Sequence, residues 1–433
     1  MGKTTYILKK ATDNCILFII PFLFCAINVM AEGTKEFRPD STKFGNLQIN
    51  DMGRPFALES NTNPFHRLYV HISDYTHEKI YLGFNHIQTG SETATFRIVN
   101  PSGTVVYPTT PPYRKTIPSS GNGYIKWYSL AVLGPKLCNL CSGYSPITFT
   151  PQTNGDFYIE FTTSYQGTNT AYHFDLFDIT VANGTTVIPG RLWSYCWDLN
   201  TRSYNNGYFG KMDVLTDDGY VSQVDFNGFE PYGFTISCNS TGPGNLPGGN
   251  NENRKSIAVD STRPQFKVFL NNPDITAYPS GTIPTVIQNL TVLGTPTYGQ
   301  PVLFTVNVSQ AGIVQIELDI NGIPGYQDSS SDVILVVPIH AGLDTIIWDG
   351  KDGFGNYVTG GATVTLLSSF ASGTTHLPIW DPETNPNGYI VTRIRPTTGL
   401  CNLYWDDSNF PGGTVNIDGS LHTGHSWPYF FGD

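Results

Sequence analysis

Between residues 67 and 181 apolar and polar positions alternate in short runs: RLYVHIS (67–73), KIYLGFN (79–85), ATFRIVN (94–100), DFYIEFTT (156–163) and YHFDLFDITV (172–181). A period of two turns one face of each run toward a core, which is the pattern of a half-buried strand rather than a helix. Gly, Pro, Asn or Ser bounds each run, and Pro101-Ser102-Gly103 and Ala182-Asn183-Gly184 supply turns. The pattern therefore predicts an antiparallel β-sandwich over 50–184. A second β block, 185–240, carries RLWSYCWDLN, GKMDVLTDDGYVSQVDFNG and YGFTISCN, and either completes that sandwich or adjoins it.

The alternation stops at TGPGNLPGGNNENRKS, residues 241–256, which has no apolar period and reads as a linker. It resumes in FKVFLNN (266–272), PVLFTVNVS (301–309), IVQIELDING (313–322), DVILVVPIH (332–340) and TIIW (345–348), predicting an immunoglobulin-like sandwich over 263–370. Residues 371–433 hold turn residues and aromatics but few long strands, an incomplete aromatic-rich β segment. The predicted fold class is all-β: tandem antiparallel sandwiches joined by a Gly/Pro/Asn-rich linker, with no convincing amphipathic helix.

The N-terminus departs from this texture. Basic MGKTTYILKK precedes an apolar stretch, CILFIIPFLFCAINV (15–29), of signal-peptide length and too short for a confident membrane span. Small side chains at Val29 and Ala31 predict cleavage after Ala31, making 1–31 a signal peptide; a retained anchor is the alternative. No later run is apolar enough to span a bilayer. Cleavage removes three lysines and one aspartate from 24 basic and 35 acidic residues, leaving a formal charge of −13. That balance argues against a nucleic-acid partner, which needs clustered Lys and Arg.

Export permits disulfides. Cys138 and Cys141 form a C-x-x-C in a loop with no second half to complete a zinc site, so a short-loop disulfide is expected. Cys196 and Cys238 each sit in a strand-like run of one block and are expected to bridge, leaving Cys401 over.

TIIWDGKDGFGNYVTGG (345–361) concentrates Gly and Asp between two β runs. It lacks the spacing and following helix of a phosphate loop. Asp349, Asp352 and Asn356 are the candidate calcium ligands, but no Glu closes the loop as in an EF-hand. The favoured reading is a long hairpin connection in which Gly350, Gly353 and Gly355 supply permissive backbone angles and Trp348 plugs a core.

The run W-D-G-x-D-x-x-G-N-x-V-x-x-G, Trp348 to Gly361, resembles the terminal hairpin of the immunoglobulin-like domain of flagellar hook-capping proteins and of many secreted surface proteins. LPIWDPETNPNGYIVTRIRP (377–396) and LYWDDSNFPGGTVN (403–416) resemble segments of large exported surface proteins of the Bacteroidota, labelled gliding-motility-associated or adhesin-like. The resemblance implies a multidomain exported β protein with no catalytic residues to carry over. Such proteins run longer and end in a sorting domain, so a fragment or truncated relative is expected.

Reactive constellations are scarce. His66, His71 and His77 form no H-E-x-x-H, and no G-x-S-x-G elbow occurs. Asp217-Asp218 before Gly219 reads as a turn. Trp-Asp recurs at 197, 348, 380 and 405, at spacings of 151, 32 and 25 residues, too irregular for propeller blades of roughly 40–45. Trp380, Trp405, Trp427, Tyr389, Tyr404 and Tyr429 concentrate in the tail and either stack on sugars or cover a core edge; the second is favoured. These features lead to a non-enzymatic exported surface or adhesion-type scaffold, without cofactor or catalytic residues, whose partners are other cell-surface proteins or extracellular glycans. A carbohydrate-binding protein of a polysaccharide-degrading system is the alternative.

Overall fold

The computed structural model describes residues 31–49, 56–86, 94–163, 172–243, 254–258, 263–422 and 424–427; residues 1–30 of the expected leader lie outside them. The fold is all-β. Two large sheets face each other. One runs Ile379–Trp380, Gly233–Ser237, Cys196–Asn200, Asn46–Ile49, Tyr172–Asn183, Glu78–His86 and Ile147–Phe149, with Thr186–Ile188 beside the fifth strand. The other runs Gly399–Leu400, Ile390–Arg395, Val221–Asp225, Lys211–Leu215, Lys267–Phe269, Leu192–Ser194, Leu68–Ile72, Gly155–Thr163, Ala94–Val99 and Val105–Tyr107, with Lys115–Thr116 beside the ninth.

Alternate residues of both sheets meet in one core. Leu68, Val70 and Ile72 face Ile80, Leu82 and Phe84 across it, and Phe96, Phe161 and Phe174 fill its centre. Ring centroids there lie 4.9–5.7 Å apart in tilted or edge-on pairs. Such pairs contribute about 0.5–1.5 kcal/mol each beyond burial. Trp197 crosses the layer, its indole N–H donating to the Val268 carbonyl of the opposite sheet at 2.9 Å, so a polar atom in the core is satisfied.

The 185–240 block thus completes the first sandwich, contributing strands to both sheets. Three boundaries differ from the sequence reading. Lys267–Phe269, expected in the second sandwich, is a central strand of the first, paired with Leu192–Ser194 and Lys211–Leu215. The tail does not stand alone: Ile379–Trp380 extends one large sheet and Ile390–Arg395 the other. The connection between sandwiches is therefore the stretch after Phe269, not 241–256. Strand pairing between residues some 52 to 174 positions apart decided this, and local composition carries no record of such partners.

The smaller sandwich is inserted between Phe269 and Ile379, two points at which the chain belongs to the larger one. Val286–Leu293, Val302–Val308 and Gly342–Trp348 form one three-stranded sheet, and Val333–Ile339, Gly312–Asp319 and Thr365–Ala371 the other. Its core is Val302, Phe304, Val306, Val308, Val314, Ile316, Leu318, Ile339, Ile346 and Trp348. Among the described residues two short α-helices, Thr34–Phe37 and Tyr128–Leu133, and a 3-10 turn, Pro64–His66, complete the larger unit. The second α-helix ends at Gly134, whose φ of 75° is the left-handed stop that glycine adopts without strain.

Candidate functional site

The Gly- and Asp-rich loop of the small sandwich after Trp348 is built as a turn. Asp349 Oδ1 accepts from the Lys351 N–H at 3.0 Å. Asp352 Oδ1 accepts from Phe354 and Asn356 N–H at 3.0 and 2.8 Å, while the Asp352 N–H donates to the Asn356 carbonyl at 2.8 Å. Both carboxylates thus hold their own backbone, the use Asp has in Asx-turns. Trp348 is buried in the core, and its indole N–H donates to the Lys351 carbonyl at 2.9 Å. Gly350 and Gly355 have φ of 80° and 81°, the permissive angles expected of them. The flanking strands Gly342–Trp348 and Thr365–Ala371 belong to different sheets, however, so the segment is a sheet-to-sheet crossing with a tight local turn closed by the Lys351–Tyr357 bridge and not a hairpin connection. Gly353 serves differently: a Cβ there would run into the Ser330 and Asp332 carbonyls, so its bareness allows close approach rather than an unusual angle. Among the described residues no group of three or more His, Cys, Asp or Glu is placed to hold a metal.

The cysteines divide. Cys138 and Cys141 are disulfide-bonded with Cα atoms 5.1 Å apart, as expected. Cys196 and Cys238 are not joined. The register pairs Cys196 with Ser237, one residue short of Cys238. With side chains alternating between faces, Cys238 enters the inter-sheet core beside Phe234 and Ile236, whereas Cys196 points out the other side, opposite to its neighbour Trp197. A one-residue offset is invisible in composition yet forbids the bridge. Burial raises the Cys238 thiol far above its ordinary range, so it packs as a small apolar side chain. Cys401 is a half-buried thiol 3.8 Å from Ser222 Oγ.

Three of the tail aromatics are packed inside the fold. Trp405, Trp427 and Tyr389 are buried, Trp427 and Tyr389 against Phe229, and Trp405 stacks on His425 at 4.6 Å. Trp380 and Tyr404 are half-buried; Tyr429 lies outside the described residues. A guanidinium, Arg254, sits over the Tyr404 ring at 3.9 Å, donates to Gln315 Oε1 of the small sandwich at 2.9 Å and also reaches the Ile417 carbonyl of the tail. Burial lowers its pKa to about 10. Ser256 binds Asp406 and Asp407, and Ile417 packs on Ile334 and Val336. The end of the sequence-predicted linker is thus a clamp between small sandwich and tail; 244–253 lie outside the described residues.

Sequence reasoning missed a cleft on the outer face of the larger sheet. Because Trp193 follows core residue Leu192, and Phe269 follows Val268, their rings emerge on the face away from the core, where Tyr69, Tyr158 and Tyr278 join them. Tyr69 stacks on Trp193 at 4.3 Å. Lys267 Nζ lies 4.1 Å over Trp193, 4.9 Å over Tyr278 and 3.9 Å from Asp156, whose other oxygen is 2.7 Å from His71 Nδ1. Burial pushes the Lys267 pKa down, and the Asp156 charge opposes it. Burial also pushes Asp156 up, but the His71 bond and the Lys267 charge outweigh it and leave that carboxyl below its usual range. Beside this group Tyr195, Thr216, Asp217, Gln265, Lys267 and Tyr278 line a hollow of about 260 Å³. Gln265 Nε2 donates to Asp217 Oδ2 at 2.9 Å. Trp193, Phe269, Tyr69, Tyr158 and Tyr278 are themselves buried, with Tyr69 and Lys267 over the Trp193 ring. The ring surface left to the hollow is therefore that of half-buried Tyr195, flanked by Asp217, Gln265 and Lys267, a set able to stack on and hydrogen-bond a polyhydroxylated ring. The signal for it, aromatics in the polar half of an alternating strand, was present in RLYVHIS and DFYIEFTT but was absorbed there as strand propensity.

Compared with known proteins, the chain matches no family model, no curated protein and no solved structure.

Proposed function

We propose that the chain is a non-enzymatic, exported scaffold or adhesion-type protein of the cell exterior, with an immunoglobulin-like module as its projecting arm. The observation that carries this reading is how the smaller sandwich is mounted. It enters and leaves through a large sandwich whose sheets both receive the returning chain, and Arg254, Gln315 and Ile417 lock its base to the tail. Two covalent connections and a buried clamp resist rotation better than a single flexible tether. Such stiffness suits a protein that holds surfaces at a fixed spacing. The test uses the full chain with its leader in an export-competent host, followed by fractionation. Beads coated with the exported product are then presented to cells. Recovery outside the cytoplasm with bead adhesion supports the reading; cytoplasmic retention, or turnover of a peptide, ester or glycan substrate, overturns it.

The outer cleft favours a second reading, glycan binding by the large sandwich. A glycan array probed with the same product expects micromolar binding that Tyr195→Ala abolishes, because Tyr195 lines the hollow without joining the main core. Binding lost on Trp405→Ala but kept in Tyr195→Ala would move the site to the tail.

A further inference from the structure

Behind the expected leader cleavage point the backbone nitrogen of Glu32 is buried against a carboxylate. It lies 3.0 Å from Asp178 Oδ1 and 3.3 Å from Thr180 Oγ1, on a side of the sheet covered by the 31–37 segment. Glu32 and Asp178 are both fully buried. Gly33 lets the segment sit this deep, since a Cβ there would run into the Phe177 carbonyl. The Tyr144 hydroxyl donates to Asp178 Oδ2 at 2.6 Å and the Thr180 hydroxyl to Oδ1 at 2.9 Å. The Glu32 side chain accepts from Gly190 N–H at 2.7 Å, from Arg191 N–H at 3.2 Å and from Asn271. Glu36 accepts from Gly33 N–H and Asn271.

Glu32 and Asp178 are thus enclosed together with half-buried Glu36 beside them, and cationic charge is short. The Arg191 guanidinium, buried close by, is committed to Glu78 at 3.1 Å and Asp274 at 2.7 Å. Lys35 acts on Asp178 and Glu36 only as a lesser charge. Burial pushes Glu32 and Asp178 up to about 7 and Glu36 to about 8. A buried carboxylate is retained at such a place when a cation is paired with it.

We propose that leader removal supplies that cation: hydrolysis of the Ala31–Glu32 peptide bond turns the Glu32 nitrogen into an α-ammonium that forms a buried ion pair with Asp178. Water is the co-reactant. Its hydroxyl goes to the Ala31 carbonyl carbon, the C–N bond breaks, and the nitrogen gains a proton from water and a second from solvent. Cleavage occurs on the extended chain during export, before the segment is buried. The nitrogen keeps its Asp178 contact on folding, with Thr180 beside it and the place of Ala31 open to its third proton. Two independent lines meet at one bond. Val29 and Ala31 set the cleavage position by side-chain size, and the fold places an acceptor pair at the atom that cleavage would charge. The proposal rests on the export reading and goes beyond it, by making processing part of the folded structure.

The test expresses the full-length gene in an export-competent host and determines the N-terminus of the product by intact mass and sequencing. Glu32 is expected first. A chain still beginning at Met1 overturns leader removal and the pairing with it, and if it is also retained in the cytoplasm it overturns export; a chain cut at another bond overturns the pairing alone. The product starting at Glu32 is then acylated with an N-hydroxysuccinimide ester at pH 7, native and in denaturant. The α-amine is expected to react at least tenfold more slowly when native, and Asp178→Asn is expected to remove most of that protection. Equal native and denatured rates overturn the ion pair while leaving export standing. Should Asp178→Asn not accumulate, Thr180→Ala takes its place, with a several-fold loss of protection expected and unchanged protection counting against the proposal.

Discussion

The two sandwiches obey one patterning rule and read differently. In the smaller one the Val302–Val308 strand alternates strictly between buried and half-buried positions, and Leu343, Ile347 and Leu367 stand outward with exposures of 67, 63 and 64 %. In the larger one Cys196–Asn200 and Gly233–Ser237 are buried at every position. The difference lies in what covers the outside. The small sheets have one packed face, whereas the large sheets carry further layers: the 31–37 segment and Tyr144 on one, the Trp193–Tyr278 aromatics on the other. A sheet with both faces covered loses the alternation that reveals it.

Tryptophan deletions are the strongest way to break this comparison. Trp197→Ala removes a ring fully enclosed between the large sheets together with its bond to Val268, at an expected cost of about 3–5 kcal/mol. Trp348→Ala opens the edge of the small core and should cost about 3 kcal/mol. Calorimetry on the full chain is expected to assign the losses to two different transitions. A single transition lowered equally by both would mean that the Arg254 junction couples the units into one cooperative body.

Arg191→Met ranks next in sharpness. It strands Glu78 and Asp274, both contacted by the guanidinium, and loss of one partner of a buried pair costs about 3–5 kcal/mol. The small sandwich has no counterpart of this arrangement among its described residues, so its transition should not move. A shift in both transitions would show that the carboxylate-rich edge stabilises more than its own unit.

Legibility followed the same division. Strand type was readable wherever alternation or β-branched runs survived, which is why RLYVHIS and PVLFTVNVS both became strands. The Cys138–Cys141 bridge was readable because its partners are local. What failed was long-range: the membership of Lys267–Phe269, the one-residue offset of Cys196 from Cys238, and the return of 379–395 into both large sheets. Turn-rich composition in 241–256 misplaced the junction, which follows Phe269. The outer cleft went unseen because an aromatic in a strand looks the same whether it faces a core or a second layer.

A pH profile sharpens the contrast with smaller effects. Asp213 faces the outer side of the large sheet, and burial pushes its carboxyl up to about 7, opposed by the Gln223 bond and by the Arg395 and Lys211 charges. Its folded pKa exceeds the unfolded value, so the folded state holds the proton more tightly. The stability it contributes is complete below about pH 4 and is lost as pH rises through about 7. Asp213→Asn should therefore make the large unit's profile between pH 4 and 7 shallower, the raised carboxyls of the 32–36 segment and Asp178 keeping part of the slope, and raise its stability at pH 8 by about 1–3 kcal/mol. Urea unfolding at pH 4, 6 and 8 checks this; a variant less stable at pH 8 would show that the ionised carboxylate is paired with Arg395 after all.

The smallest effect is expected where acidic residues look most like a ligand set. Asp349 has the same carboxylate as Asp178, but it lies on an exposed loop and holds one backbone N–H of that loop. Losing that bond should cost about 1 kcal/mol, the ordinary value for a local hydrogen bond near solvent. Because Asp352 already turns its Oδ1 inward to two N–H groups, a cation would have to compete with the turn it needs for its own geometry. Wild-type melting curves of the small transition recorded with calcium and with chelator should superimpose, and Asp349→Ala should shift both by the same amount. A chelator-sensitive wild type whose sensitivity disappears in Asp349→Ala would instead make this loop a metal site, and the contrast between an enclosed carboxylate that needs a cation and an exposed one that does not would no longer hold.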